Sequence, residues 1–499
     1  MADYGYPDGG GEEEDMQWPP APPAYGYPDD DGGGERPPFV LIDPRAYFAD
    51  RKNATTAVID MEAGAPNLRG RLQVTFCAVA PPLVSYFCVH ATHMDHTEFL
   101  VAPSILATET DGGLALLRAL HPACMFNFTP TRAGLGWAGL GSTWFCVHAT
   151  HMDHTEFAVS PFIVATETDG GLVLLCVVPG KRPTDAQLLR NRQYFVYDAC
   201  YCQLYHLPHP GPQHEINGFL LAIMREPNKG TGTGNLRPHG QAEFGHFVVA
   251  AQAHLFWGKK SPQLCIYHSA TKTWSKKPVV IDSSPQKHST TKTFTIGGPK
   301  GTVAWVDLWR NIIFCDVLAG RPTLSCLNLP PPLRPRPNVG AGNPRSHRNI
   351  AVLGNTIKYV EMLPHPDRSS STPPSHRWEV AAWSIQKANR SWPEDWHTEG
   401  NLDSTHIKVD SGTTAATLPT LSTLHVGLPT LSLQNDAIFH FLAKIDYRQS
   451  EHTAWVLAVD MQTKTITQAA EFRAERTLGL AWGFDASSIS AYLQTAPGN

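Results

Sequence analysis

Four side chains in one short stretch, His90, His93, Asp95 and His96, form the most chemically suggestive pattern in the chain, and it recurs as His148, His151, Asp153 and His154. Imidazole nitrogens and a carboxylate at this density suit zinc or iron, and a metal held there would serve hydrolysis. A second pattern sits at Trp305-Val306-Asp307-Leu308-Trp309, where two indoles and a carboxylate alternate. On a strand these three share one face and could stack against a sugar or another small ligand. A third, Gly230-Thr231-Gly232-Thr233-Gly234, offers bare backbone amides to a phosphate.

Each pattern has a plainer reading. His93, Asp95 and His96 resemble part of the H-x-H-x-D-H signature of metallo-β-lactamase-like hydrolases, but the first histidine of that signature falls on Ala91. His90 is displaced by one residue, which on a strand turns a side chain to the opposite face. The cluster therefore reads as a polar hairpin turn, and no metal, cofactor or catalytic residue is assigned. A metal-dependent hydrolase built on the duplicated histidines stands as the competing function. The Trp305, Asp307 and Trp309 face reads as core packing in which the carboxylate accepts bonds from a neighbouring loop. The glycine loop lacks the Gly-Lys-Ser/Thr ending of a phosphate loop, and no G-x-S-x-G elbow is present.

The elements that would position these residues are short strands. Residues 87–118 and 145–176 are near copies, differing at six of 32 positions, with an offset of 58 residues. Phe87–His90, Ser104–Thr108 and Leu114–Leu117 read as three strands of one small meander, with Asp111-Gly112-Gly113 supplying a tight hairpin turn. Residues 119–144, between the copies, are glycine-rich and aperiodic, and read as an irregular insert. Phe39–Ile42 and Leu72–Phe76 also read as strands.

Downstream, an apolar strand, a polar turn and a second strand recur. Examples are Tyr194–Asp198 then Leu204–Pro208, Leu264–His268 then Thr271–Trp274, Ile312–Asp316 then Leu324–Leu329, Val380–Ser384 then Trp392, and Ala454–Asp460 then Thr463–Thr467. Each reads as the outer hairpin of a propeller blade, with an Asp, Ser or His tying the turn. Asn311 suits a left-handed turn residue between two strands. The pentapeptide Leu418–Ser422 recurs as Leu428–Ser432, and Ser487-Ser488 precedes one short helix at 489–494. The expected fold is mainly β, a propeller-like body of six or seven irregular blades over 38–499, with paired β-sandwiches as the alternative.

Composition agrees with many short strands. The 499 residues are 42% apolar and 17% charged, with 40 Gly and 42 Pro, against roughly 25% charged in an average soluble domain. Residues 1–37 carry ten acidic side chains and one basic, and hold the doublet Tyr4–Asp8 and Tyr25–Asp29, both Tyr-Gly-Tyr-Pro-Asp. This segment is read as a disordered acidic tail. A near-neutral body with an acidic tail gives no electrostatic reason to bind nucleic acid. Ten scattered cysteines without a C-x-x-C pair fit a reducing compartment, cytoplasmic or nuclear, and no apolar run is long enough to span a membrane.

The segment WVDLWRNIIFCDVL at 305–318, followed by Leu324–Pro330 and accompanied by Phe39–Pro44, Asn53–Thr56, Tyr194–Asp198 and Trp378–Trp392 in the same order, resembles the plant domain-of-unknown-function family 1618, expanded in grasses. The resemblance covers most of 38–499 and departs at Asn311, where glycine is expected, and in the extra repeat copy with its insert. It implies a plant protein without assigned catalytic residues and makes Trp305, Asp307, Trp309, Arg310 and Asp316 structural signature positions. The chain also resembles the F-box-associated propellers of plants, although no F-box-like helical segment precedes the body. The expected function is a protein-interaction or scaffold module without catalytic activity, with a protein partner and neither nucleic acid nor membrane. Small-ligand or carbohydrate binding on the Trp305/Trp309 face is a further alternative.

Overall fold

The computed structural model describes residues 22–23, 25, 36–43, 46–61, 70–92, 104–105, 162–166, 171–177, 193–208, 221–226, 246–253, 263–283, 287–333, 343–366, 376–386, 395–409, 418–446, 453–472 and 484–493. Short apolar runs make many of these segments strands buried on both faces, as in Gln193–Asp198 and Thr302–Asp307, because each blade packs against a sheet on either side. The strands form six small sheets of four to six strands. The sheets stand in a ring, so the fold is a six-bladed propeller and the paired-sandwich alternative is excluded. Among the described residues there are short 3₁₀ turns and no α-helix, and no helix is long and apolar enough to cross a membrane.

Five blades run outward from the ring axis in chain order. The second contains Phe162–Thr166, Leu172–Val177, Gln193–Asp198 and Gln203–Leu207, and the third contains Leu221–Arg225, Phe247–Ala253, Gln263–His268 and Thr273–Pro278. The fourth is Lys292–Gly297, Thr302–Asp307, Asn311–Asp316 and Thr323–Asn328; the fifth is Arg348–Leu353, Thr356–Pro366, His376–Gln386 and His397–Asp403. The sixth is His425–Leu431, Ile438–Lys444, Ala454–Asp460 and Thr465–Phe472. Short parallel strands, Val280–Ile281 and Lys408–Val409, are added to the outer edges of the fourth and sixth blades.

The first blade closes the ring. Its innermost strand, Asp485–Ser487, comes from the far end of the chain and pairs antiparallel with Val40–Ile42 in the register Val40 to Ser487. Val84–Thr92, Gly70–Cys77 and Ala57–Met61 follow outward. Joining the two ends of the chain in one sheet makes the ring cooperative, since opening it exposes the faces on both sides of the seam.

The ring axis is polar. Lys292 Nζ lies 3.0 Å from Asn349 Oδ1 and 3.4 Å from Asp485 Oδ1, and the Arg345 guanidinium is also paired with Asp485. All four residues are buried, so the fourth, fifth and first blades are held together by charges removed from water. Thr293 and Thr295 donate through Oγ1 to the carbonyls of Leu221 and Ile223, at 3.1 and 2.9 Å, and so bind the third blade to the fourth.

Several sequence expectations are met at the turns. Asp198 Oδ1 accepts from the Cys200 amide at 3.0 Å, and Asp460 Oδ1 accepts from Gln462 and Thr463 at 2.8 and 2.9 Å. Gly171, in the second copy of the Asp-Gly-Gly turn, has φ +65, and a Cβ there would stand 2.6 Å from Tyr492 Cβ. Other expectations are corrected. Asn311 is the first residue of its strand and is not among the residues with positive φ; among the described residues other than glycine the left-handed positions are Cys202, Lys272 and Lys464, each closing a four-residue hairpin turn, with Leu428 in a bulged strand. The outer strand of the fifth blade is His397–Asp403, whereas Trp392 lies outside the described residues. Residues 489–492 form a 3₁₀ turn, with Ser487 Oγ accepting from the Ile489 amide at 3.2 Å.

The repeat does not form one meander. Phe87–Thr92 of the first copy belongs to the first blade, while Phe162–Thr166 and Leu172–Val177 of the second copy begin the second blade. Ser104–Ile105, the counterpart of Phe162–Ile163, lies beside it as a parallel edge strand, equivalent residue against equivalent residue. The repeated unit thus straddles a blade boundary. Period-two alternation marks a strand without revealing which sheet it joins. The insert 119–144 lies outside the described residues.

Candidate functional site

Of the histidine cluster, His90 is in the strand Val84–Thr92, half-buried and opposite Gln73 on the neighbouring strand. His93, Asp95, His96, His148, His151, Asp153 and His154 lie outside the described residues. Among the described residues, no group of three or more His, Cys, Asp or Glu side chains is placed to hold a metal ion.

The signature segment is a clasp between blades. Trp305 is 0% exposed and packs with Ala222, Met224, Val248 and Ile266 of the third blade, while Val306 and Leu308 pack toward Ile350 and Tyr359 of the fifth. Asp307, also 0% exposed, accepts from the Ser289 and Trp309 amides at 2.9 Å each and from Arg310 Nη1 at 3.0 Å. Trp309 leaves the strand and lies in the turn with the Arg348 guanidinium 4.7 Å from its ring centroid. Arg348 also donates to the Leu308 and Trp309 carbonyls and to Glu361 Oε1, at 3.1, 3.3 and 2.8 Å. Asp316 accepts from Thr302 Oγ1 at 2.6 Å. The indoles therefore do not form a common ligand face. Trp305 is enclosed, and Trp309 is stacked on an arginine of the next blade.

Beside Asp307, His288 Nδ1 is 2.6 Å from Asn311 Oδ1 and its Nε2 is 2.9 Å from Thr290 Oγ1. Burial pushes this imidazole down, against the opposing hydrogen bond to Asn311 and charge of Asp307. Both ring nitrogens are engaged within the fold, so His288 braces the loop that caps Asp307.

A cleft lies elsewhere, at the seam where the sixth blade meets the first. Phe39 and Leu41 pack there against Leu442, Val456 and Phe472. At one end this packing stops short and leaves a cleft of ≈ 540 Å³ between Arg36–Phe39 with Ala80 and Pro81 on one side, and the sixth blade on the other. The sixth-blade wall is a row across the sheet, because Thr430, His440, Ala458 and Gln468 are successive register partners. His440, Ala458 and Gln468 line the cleft, with Ser432, Gln434 and Asn435 at its rim. The rim turn is braced internally: Ser432 Oγ accepts from the Gln434 and Asn435 amides at 3.3 and 3.2 Å.

His440 gives the cleft chemical character. It is buried, its ring centroid is 5.9 Å from that of Phe39, and its Nδ1 has no hydrogen-bond partner among the described residues. Burial pushes its pKa down to about 4, so near neutrality it is an uncharged imidazole, with Nδ1 closed off from solvent. A buried polar atom without a partner costs about 1–3 kcal/mol. Sequence reading missed this residue because His440 stands alone in an apolar strand, and its neighbours in the cleft come from both ends of the body.

No curated protein matches the chain. Residues 305–440, from the second strand of the fourth blade into the second strand of the sixth, match the model of a family described as "Protein of unknown function (DUF1618)", so that over this region the chain is similar to the family that the Trp305–Leu318 segment resembles.

Proposed function

We propose that the protein is an interaction module that binds an extended segment of a protein partner in the cleft between its sixth and first blades. The observation that carries this reading is the cleft's lining, in which an apolar wall of Pro38, Phe39 and Pro81 faces the amide side chains of Gln434, Asn435 and Gln468. Amide side chains can pair with the carbonyls and N–H groups of a peptide backbone, while the apolar wall accepts its side chains. The charged groups of the signature segment support a binding rather than a catalytic role, because Asp307, Arg310, Arg348 and Glu361 are engaged with one another or with backbone. Cytoplasmic or nuclear residence is part of the proposal, supported by the free, buried thiols of Cys77, Cys88, Cys265 and Cys315.

The test is affinity capture from cell extract with the full chain and with Ala458→Arg and Gln468→Ala variants, each first shown to unfold cooperatively. The expected result is a partner retained by the wild type and lost or weakened at least tenfold by both variants. A partner retained equally by all three overturns the assignment of the cleft. The competing hydrolase predicts stoichiometric zinc or iron in purified protein, lost in the double variant His93→Ala, His151→Ala; finding it would overturn the view that the protein only binds.

A further inference from the structure

Among the described residues of the acidic segment, two lie far from the start of the body in sequence yet pack on its first blade. Pro23 and Tyr25 lie against the first blade, where the Tyr86 hydroxyl is 3.1 Å from the Pro23 carbonyl and 2.7 Å from that of Tyr25. Arg51 Nη1 donates to the Pro23 carbonyl at 3.0 Å and also to the Tyr86 hydroxyl, with its guanidinium 5.6 Å from the Tyr86 ring centroid. The Tyr25 ring stands edge-on to Tyr86 at 6.3 Å, and Tyr47 stands edge-on to the same ring at 5.4 Å. Burial, followed by the nearby charge of Asp43, pushes the Tyr25 phenol up to about 12.

On this sheet face the cradle packs, among the described residues, against Tyr25 and Ala49 rather than against a neighbouring blade. Along the strand Val84–Thr92, Phe87 and Val89 pack toward the second blade, whereas Val84 packs against the sixth. Tyr86 and Cys88 share the face of Val84 but cluster instead with Tyr47, Cys77 and Tyr25. Two carbonyls bonded by fixed side chains, one aromatic ring in an aromatic setting and prolines just before it are the means by which grooves recognise proline-rich peptides.

We propose that the Tyr47, Tyr86 and Arg51 cradle is a recognition site for a proline-flanked tyrosine in an extended protein segment, and that Pro22–Tyr25 of the same chain occupies it as a tethered, displaceable ligand. Ten residues separate Tyr25 from Arg36, a short connection in sequence. It holds the ligand at an effective concentration on the order of 1 mM. A partner segment of the same chemistry binding at about 100 μM would then meet roughly tenfold competition from the tail. This site is separate from the cleft at His440 and does not depend on its assignment.

The experiment is fluorescence anisotropy with a labelled peptide of residues 19–29, PPAPPAYGYPD, titrated with the full chain. The expected result is saturable binding to the Tyr25→Ala variant, about tenfold weaker binding to the wild type, and no binding of the peptide with its first tyrosine replaced by alanine. Adding Tyr86→Phe to Tyr25→Ala retains the ring, removes the hydroxyl that meets both carbonyls, and should weaken binding at least fivefold. Adding Arg51→Ala should do the same. Equal affinity of wild type and Tyr25→Ala overturns the tethered-ligand proposal. Absence of binding to a folded Tyr25→Ala variant up to 1 mM overturns the recognition site itself.

Discussion

Deleting residues 87–144 removes one repeat offset and is expected to leave a closed six-bladed ring. Phe145–Thr150 repeats Phe87–Thr92 residue for residue, so the first-blade strand is restored with every side chain unchanged. The native second-blade strands Phe162–Thr166 and Leu172–Val177 are retained. The connection between the two blades falls from residues 93–161 to residues 151–161, close in length to the 208–220 connection between the second and third blades. Loop closure then favours the deletion by about 1.6 kcal/mol, offset by loss of the two-residue edge strand Ser104–Ile105.

The alternative deletion, residues 119–176, retains the first copy and places Ala115 where Val173 is fully buried. Removing two buried methyl groups, with a residual cavity, costs about 2–3 kcal/mol. The 87–144 deletion should therefore be the more stable by at least about 2 kcal/mol, read from urea unfolding followed by tryptophan fluorescence and far-UV circular dichroism. Loss of cooperative unfolding in the 87–144 deletion, or equal midpoints for the two, would refute the assignment of the repeat halves to different blades.

Three further outcomes test the ring. Asp485→Ala leaves Lys292 and Arg345 buried without their carboxylate and should destabilise the protein by about 3–5 kcal/mol; a loss under 1 kcal/mol would mean that the axis is hydrated and open. His440 has a folded pKa below that of the unfolded chain, so the unfolded state takes up more protons as pH falls from about 6.5 toward 4. Its stabilising effect is present above the unfolded value and is lost by on the order of 3 kcal/mol across that window, and unfolding midpoints of His440→Gln should lose this part of the pH slope. An unchanged slope would show that His440 is accessible to water. Gly301 has φ +61, and a Cβ there would stand 2.6 Å from Leu318 Cγ, so Gly301→Ala should cost about 2 kcal/mol or more; a neutral thermal shift would contradict the geometry of that hairpin.

Local chemistry made the strands legible. The alternation at Leu72–Phe76 and the aspartate ending Tyr194–Asp198 act within a few residues, and the structure contains both; of the repeated Asp-Gly-Gly turn it describes Gly171, at φ +65. The functional candidates were less legible because they are assembled over long distances. Tyr25, Arg51 and Tyr86 come from separate segments, as do Phe39 and His440, and no periodicity connects them. The alternating tryptophans misled for a related reason. Trp309 follows Trp305 by four residues, but the intervening turn directs it to Arg348 of the next blade.

The repeated pentapeptide marks the boundary between the two kinds of information. Leu418–Ser422 and Leu428–Ser432 are identical in sequence, yet the first enters a 3₁₀ turn with an exposed Thr420 and the second lies buried at the inner edge of the sixth blade, bulged at Leu428. The sequence by itself determined a mainly β chain of short strands, because alternation and turn residues are local properties. Tertiary structure decided which strands share a sheet, that six blades close the ring, and that Asp485–Ser487 pairs with Val40–Ile42. Those outcomes depend on burial between segments distant in the chain, where each face is stable only against the one it meets.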